Sequence, residues 1–132
     1  MHANRTIDVT TALDILARAL THPSNAVACA VVGSRGELIA FAAQDAAAAL
    51  PRKLAARKAY TSLHLKRETA AVREAVASGA LDLPRLNDPE LVAIPGGVAV
   101  MENDVCVGAI GVSGLAPDDD QEWARTLVPV AL

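Results

Sequence analysis

Aromatic side chains are nearly absent: Phe41, Tyr60 and Trp123 stand alone among 132 residues. Such a chain offers little surface on which to stack a flat aromatic ligand. Excess basic charge is lacking too. Twelve Lys and Arg stand against fifteen Asp and Glu, a net charge of −3, which argues against a nucleic-acid partner because that needs clustered cations. No stretch approaches the roughly 20 apolar residues of a membrane span, and Met1 to Arg5 carry no apolar core of a secretion signal. The cytoplasm is therefore the expected location. Cys29 and Cys106 show no CxxC spacing and sit in strand-like apolar runs, so both read as core residues. No His, Cys, Asp and Glu cluster has the spacing of a metal site.

What the chain does have is small apolar side chains. It is 52% hydrophobic, dominated by alanine and valine. Each such residue buries little area at roughly 25 cal/mol per Å², so a lone subunit would be thin in stabilising contacts and association into a homo-oligomer is expected. A codon bias that fills neutral positions with alanine is the competing explanation. The length suits one domain over residues 1–132, since halves of it would hold cores too small to be stable.

The pattern reads helix, hairpin, helices, hairpin, helix. Asp8 to Thr11 supply N-cap oxygens before Leu13, Leu16, Ala17 and Leu20 at helical spacing, and His22-Pro23 closes the run. Two apolar stretches, Ala26 to Val32 and Glu37 to Ala43, flank Gly33-Ser34-Arg35-Gly36 as a hairpin. An alanine tract ends at Pro51, and a helix is expected from about Arg52 to Leu65, with Leu54, Lys58, Thr61 and Leu65 on one stripe. Arg67-Glu68-Thr69 starts another helix, with Val72 and Val76 inward and Gly79 past its end. Leu81 to Glu90 reads as a loop or short turn. Val98 to Met101 and Val105 to Val112 form a second hairpin about Glu102-Asn103-Asp104, and Pro117 with three aspartates opens the last helix. Hairpins imply antiparallel pairing, so the fold class is α+β: a single antiparallel sheet with helices packed on it.

The segment Pro95-Gly96-Gly97 to Gly114 is the richest in chemistry. Gly108, Gly111 and Gly114 recur every third residue, and glycine within a strand usually marks the close approach of a backbone, a helix or a ligand. The Pro-Gly-Gly turn would expose N–H groups able to receive a carboxylate, which makes Gly96 and Gly97 candidate cofactor-binding residues. A bulge or helix packing would explain the same glycines. No P-loop or dinucleotide fingerprint is present.

Lys58 lies on the apolar stripe of its helix. Burial would depress its pKa and make it a better base or nucleophile, whereas a snorkelling lysine or a partner for Asp45 is the structural alternative. Asp45, where a strand hands over to a loop, could cap or could serve as Lys58's counter-ion; together they would make a catalytic acid/base pair. Arg52, Lys53, Arg57, Lys66 and Arg67 form a basic patch, either a solvated face or an attraction for an anionic ligand.

The Pro-Gly-Gly turn, short strand, Val107-Gly108-Ala109-Ile110-Gly111-Val112-Ser113-Gly114 block and proline-acid helix start together resemble the GlcG/HbpS-like family. That family is sometimes labelled haem-degrading and includes the C-terminal domain of PduO-type corrinoid proteins. Ser34 to Ala40, Asp45, the Ala55-Ala56-Arg57-Lys58-Ala59 helix motif, Arg67-Glu68-Thr69 and Asp120 match its other motifs. The chain departs from the pattern at Ala43-Gln44, Leu50-Pro51 and Asp104. The resemblance implies a profilin-like fold, a homo-oligomer and a pocket near the Pro-Gly-Gly turn and the lysine helix, with haem or a corrinoid as the cofactor to consider.

Haem needs an axial donor, and the supply is thin: His2 is terminal, His22 ends a helix, His64 faces away from Lys58, and Tyr60 and Met101 complete the set. Ser113 lacks a nucleophile elbow and reads as structural. Two functions follow. One is an oligomeric small-molecule-binding protein holding a tetrapyrrole or another anionic ligand. The other is a cofactor-independent isomerase or lyase acting on a small carboxylate or carbonyl compound, with Lys58 and Asp45 as acid and base. A purely structural oligomer, with no ligand in any pocket, is the reading against both.

Overall fold

The computed structural model describes residues 5–130, and His2 lies outside them. Helix α1 (Val9–Ala19) begins where Asp8 Oδ1 accepts from the Thr11 N–H at 2.7 Å, satisfying one of the orphan donors of a first turn. It buries Ala12, Ile15, Leu16 and Ala19. Leu13 and Ala17, which the spacing assigned to the inner stripe, face outward, and Leu13 is 54% exposed. Two helical stripes share Leu16 in this sequence, and the one anchored on Ala12 wins because it brings Ile15 inside.

Strands β1 (Ala28–Gly33) and β2 (Leu38–Ala43) form the first hairpin, with Gly36 at φ +86° in its turn. Strands β3 (Gly97–Glu102) and β4 (Val105–Ser113) form the second. Asn103 and Asp104 make its turn, both at positive φ, as a two-residue connection that follows the sheet twist requires. The sheet order is β2-β1-β4-β3, antiparallel throughout. The observed architecture is thus the α+β arrangement expected, one antiparallel sheet with helices against it.

Helix α2 (Ala49–Leu65) covers one face of the sheet, while α1 and α4 (Pro117–Thr126) cover the other. Strand β1 is buried on both faces: Ala28, Ala30 and Val32 meet α2, and Cys29 and Val31 join the larger core. Helix α2 starts three residues before the expected Arg52. Pro51 falls in its first turn, where a missing N–H has no intrahelical acceptor to lose, so the alanine tract continues into the helix. Lys66 in the left-handed region ends α2, and α3 (Thr69–Ala77) follows. Val72 of α3 is buried, but Val76 is 37% exposed. A 3-10 turn, Leu83–Leu86, occupies the expected loop.

Small residues set the distance between α2 and the sheet. A Cβ on Gly111 would lie 1.9 Å from the Ala55 carbonyl oxygen, so only glycine lets the helix backbone rest on β4. Among the described residues no helix is long and apolar enough to cross a membrane.

Candidate functional site

The close approach of α2 to β4 carries Lys58 into the interior, where its side chain is 1% exposed. Its Nζ donates to the Val112 carbonyl at 3.0 Å, to Ser113 Oγ at 3.2 Å and to Asp120 Oδ2 at 3.1 Å. An ammonium has three hydrogens, and all three are placed. Asp120, in the first turn of α4, is 2% exposed and also accepts from the Leu115 N–H at 2.9 Å through Oδ1. Burial pushes the Lys58 ammonium below its ordinary range and the Asp120 carboxyl above its own, and each partner's charge opposes the other's shift.

Gly96 makes room for this lysine. It sits at φ +132°, and a Cβ there would fall 2.2 Å from the Val112 carbonyl and 2.9 Å from Lys58 Cδ. Gly97 in turn lies against the Lys58 carbonyl and Ser62 Oγ. The N–H groups of this turn, which the sequence offered as candidates to receive a carboxylate, have partners within the fold. Gly96 N–H donates to Gln121 Oε1 at 2.9 Å and Gly97 N–H to Thr69 Oγ1 at 2.8 Å, both buried. Gln121 Nε2 returns a bond to the Gly97 carbonyl at 2.9 Å. Buried backbone polar groups need partners, and Gln121 and Thr69 supply them from α4 and α3. Sequence reasoning passed over both. The spacing of Asp120, Gln121, Ala124 and Leu127 on one helical stripe was the signal available.

Above the pair opens a recess of about 210 Å³, lined by Leu50, Pro51, Leu54 and Ile94, with Leu115 and Pro117 across from them. Lys58, Ser113, Gly114 and Asp120 complete it. Asp45 takes no part: it is exposed, and the counter-ion of Lys58 is Asp120. The basic patch does not converge on the recess either. Arg52 donates to the Ala47 and Gln44 carbonyls, Arg57 pairs with Glu90, and Arg67 donates to the Leu65 carbonyl. Arg52 and Arg67 are thus held by carbonyls of their own neighbourhood, and Arg57 by a carboxylate of the segment before β3.

The candidate haem donors scatter. Tyr60 donates to Asp88 Oδ2 at 2.6 Å and stacks edge-on against the exposed His64. Met101 is exposed on the edge strand β3. His22 packs edge-on against Trp123 in a separate hollow of about 280 Å³, larger than the recess but without its buried charges. Among the described residues, no three His, Cys, Asp or Glu side chains are placed to hold a metal ion.

The chain belongs to the family of HbpS-like haem-degrading proteins, whose model matches residues 6–128. An uncharacterised 15.0 kDa protein of Citrobacter freundii, encoded between dhaT and dhaS, is 31% identical over 102 residues, 76% of this chain and 72% of the relative. The crystal structure of Klebsiella pneumoniae ORFY superposes with a TM-score of 0.87 at 25% identity, covering 97% of this chain and 92% of that one. A structure of PduOC in complex with heme shares the fold at a TM-score of 0.84 and 21% identity, covering 93% of each chain.

Proposed function

We propose that the protein binds a small, largely apolar molecule in the recess over the Lys58–Asp120 pair, and does so as a homo-oligomer. The observation that carries this reading is the recess: six apolar side chains around a buried, hydrogen-bonded ion pair. Apolar walls with a few placed polar groups are the usual form of a ligand site. Leu50 stands 63% exposed at its rim, apolar surface that a second copy would cover.

Family membership makes a tetrapyrrole the first ligand to test. The walls suit the apolar edge of a macrocycle, but the recess is smaller than the roughly 300–1,000 Å³ of enclosed ligand pockets, so a porphyrin would enter by one edge only. Haem, when bound, supplies an iron that needs an axial donor. No His, Met, Cys or Tyr lines the recess, so the fit extends to the macrocycle's edge and not to its metal.

Titration with haemin, followed by its visible spectrum, tests the reading. The expected result is a saturable spectral change that Leu54→Asp abolishes and that His64→Ala and Met101→Ala leave intact. A spectrum unchanged by the protein would remove the tetrapyrrole.

The alternative is cofactor-independent isomerase or lyase chemistry on a small carboxylate or carbonyl compound, with Asp120 taking the place of Asp45 beside Lys58. The burial of both charges at the recess wall favours it. The full set of bonds on the Lys58 ammonium opposes it, because a base needs a free lone pair.

A further inference from the structure

The floor of the recess keeps one hydrogen-bond donor in reserve. Ser113 Oγ accepts from Lys58 Nζ at 3.2 Å, and its own hydrogen goes to no acceptor among the described residues. A serine hydroxyl can accept and donate at once, and its hydrogen rotates to suit. Ser113 closes β4 and lines the recess beside Gly114 and Leu115. The walls formed by Leu50, Pro51, Leu54, Ile94, Leu115 and Pro117 offer no side-chain donor or acceptor.

The electrostatics of the recess are closed. Lys58 and Asp120 neutralise one another at 3.1 Å, and no other cation lines the cavity. The N-terminus of α4 reaches it at Pro117, but Asp118, Asp119 and Asp120 already occupy its first turn, where they complement the helix dipole. A carboxylate entering here would lose its hydration, face the Asp120 carboxylate and the acidic first turn of α4, and find Ser113 as its one side-chain donor. Desolvating an uncharged carbonyl costs far less, and one hydrogen bond offsets most of that cost.

We infer that the recess selects an uncharged carbonyl group on an apolar body, received by the Ser113 hydroxyl, and rejects the matching carboxylate. This rests on the recess being the binding site proposed above, and it narrows the ligand class.

The test uses the whole chain at pH 7 and two probes built on the same six-membered apolar ring, cyclohexanone and cyclohexanecarboxylate. Backbone amide shifts of Ser113, Gly114 and Leu115 report binding. Cyclohexanone is expected to move them with about tenfold or greater preference over the carboxylate. Ser113→Ala should reduce that preference severalfold while cyclohexanone still binds, and Ser113→Thr, which retains the hydroxyl, should restore it. Equal or tighter binding of the carboxylate would overturn the inference and leave the recess standing as a site. A preference unchanged in Ser113→Ala would overturn the role given to Ser113. Neither probe moving these amides would overturn both the inference and the site on which it rests.

Discussion

Lys58 and Asp120 stand 62 residues apart in the chain, yet their side chains meet at 3.1 Å with almost no exposure to solvent. The pair pins α2, the end of β4 and the start of α4 to one point, because Lys58 also holds the Val112 carbonyl and Ser113. Taking two charges out of water costs several kcal/mol for each ion. Their contribution is therefore better described as fixing where the recess lies than as adding stability.

That view predicts an asymmetric mutant cycle. Lys58→Met or Asp120→Leu alone should lower stability by roughly 3–5 kcal/mol, because each leaves a buried charge without its partner. The double replacement should recover most of the loss. Urea unfolding of the four proteins measures this, and additive losses would show that the two side chains act separately.

Gly111 should tolerate no side chain. In Gly111→Ala the new Cβ would meet backbone atoms of Ala55 and Ala59 and could not be accommodated by a rotamer change. The expected outcome is loss of the cooperative thermal transition. Gly79→Ala is the control: a Cβ there meets nothing within 4 Å, and its only cost is the left-handed backbone at φ +82°.

Gln121→Leu should loosen the Pro-Gly-Gly turn. It strips partners from the Gly96 N–H, the Ala70 N–H and the Gly97 carbonyl, at roughly 1–3 kcal/mol for each buried group left unsatisfied. Hydrogen exchange at Gly96 should accelerate well beyond that at Val31, in the central strand.

The Tyr60–Asp88 bond predicts a stability plateau with two edges. The bond holds the Asp88 carboxyl below its ordinary value of 3.8, so its contribution is present above that value and disappears as pH falls through the lowered one. The same bond holds the Tyr60 phenol above its ordinary value of 10.0, so the contribution is present below pH 10 and disappears as pH rises through the raised value. In Tyr60→Phe both edges should flatten when unfolding free energy is followed from pH 3 to pH 11.

The two thiols should differ in reactivity. Cys29 is wholly buried and its pKa is pushed up to about 12 by desolvation, whereas Cys106 is half-buried. A thiol reagent at pH 8 should label one site in the native protein, at Cys106, and the second only on unfolding. Rapid labelling of both would mean that β1 opens readily.

The helices and the two hairpins were legible in local sequence. Continuous apolar runs of strand length, Asn-Asp and glycine turns, and the Asp8 and Pro117 helix starts all act within a few residues of one another, where chain connectivity limits the choices. The sequence also marked Lys58 as a charge on an apolar stripe, and the glycines of β4 as points of close approach. Tertiary structure alone decided what those residues meet. Helical spacing put Leu13 on the inner stripe of α1, and the sheet beneath the helix selected Ala12 and Ile15 instead. Asp45, near in sequence, and Asp120, distant from it, were equally charged partners for Lys58; the passage of α2 over Gly111 delivered the lysine to α4. The N–H groups of Gly96 and Gly97 looked free because their acceptors, Gln121 and Thr69, belong to other helices. A buried polar group is satisfied by whatever the fold brings within about 3 Å, and sequence spacing carries no measure of that distance.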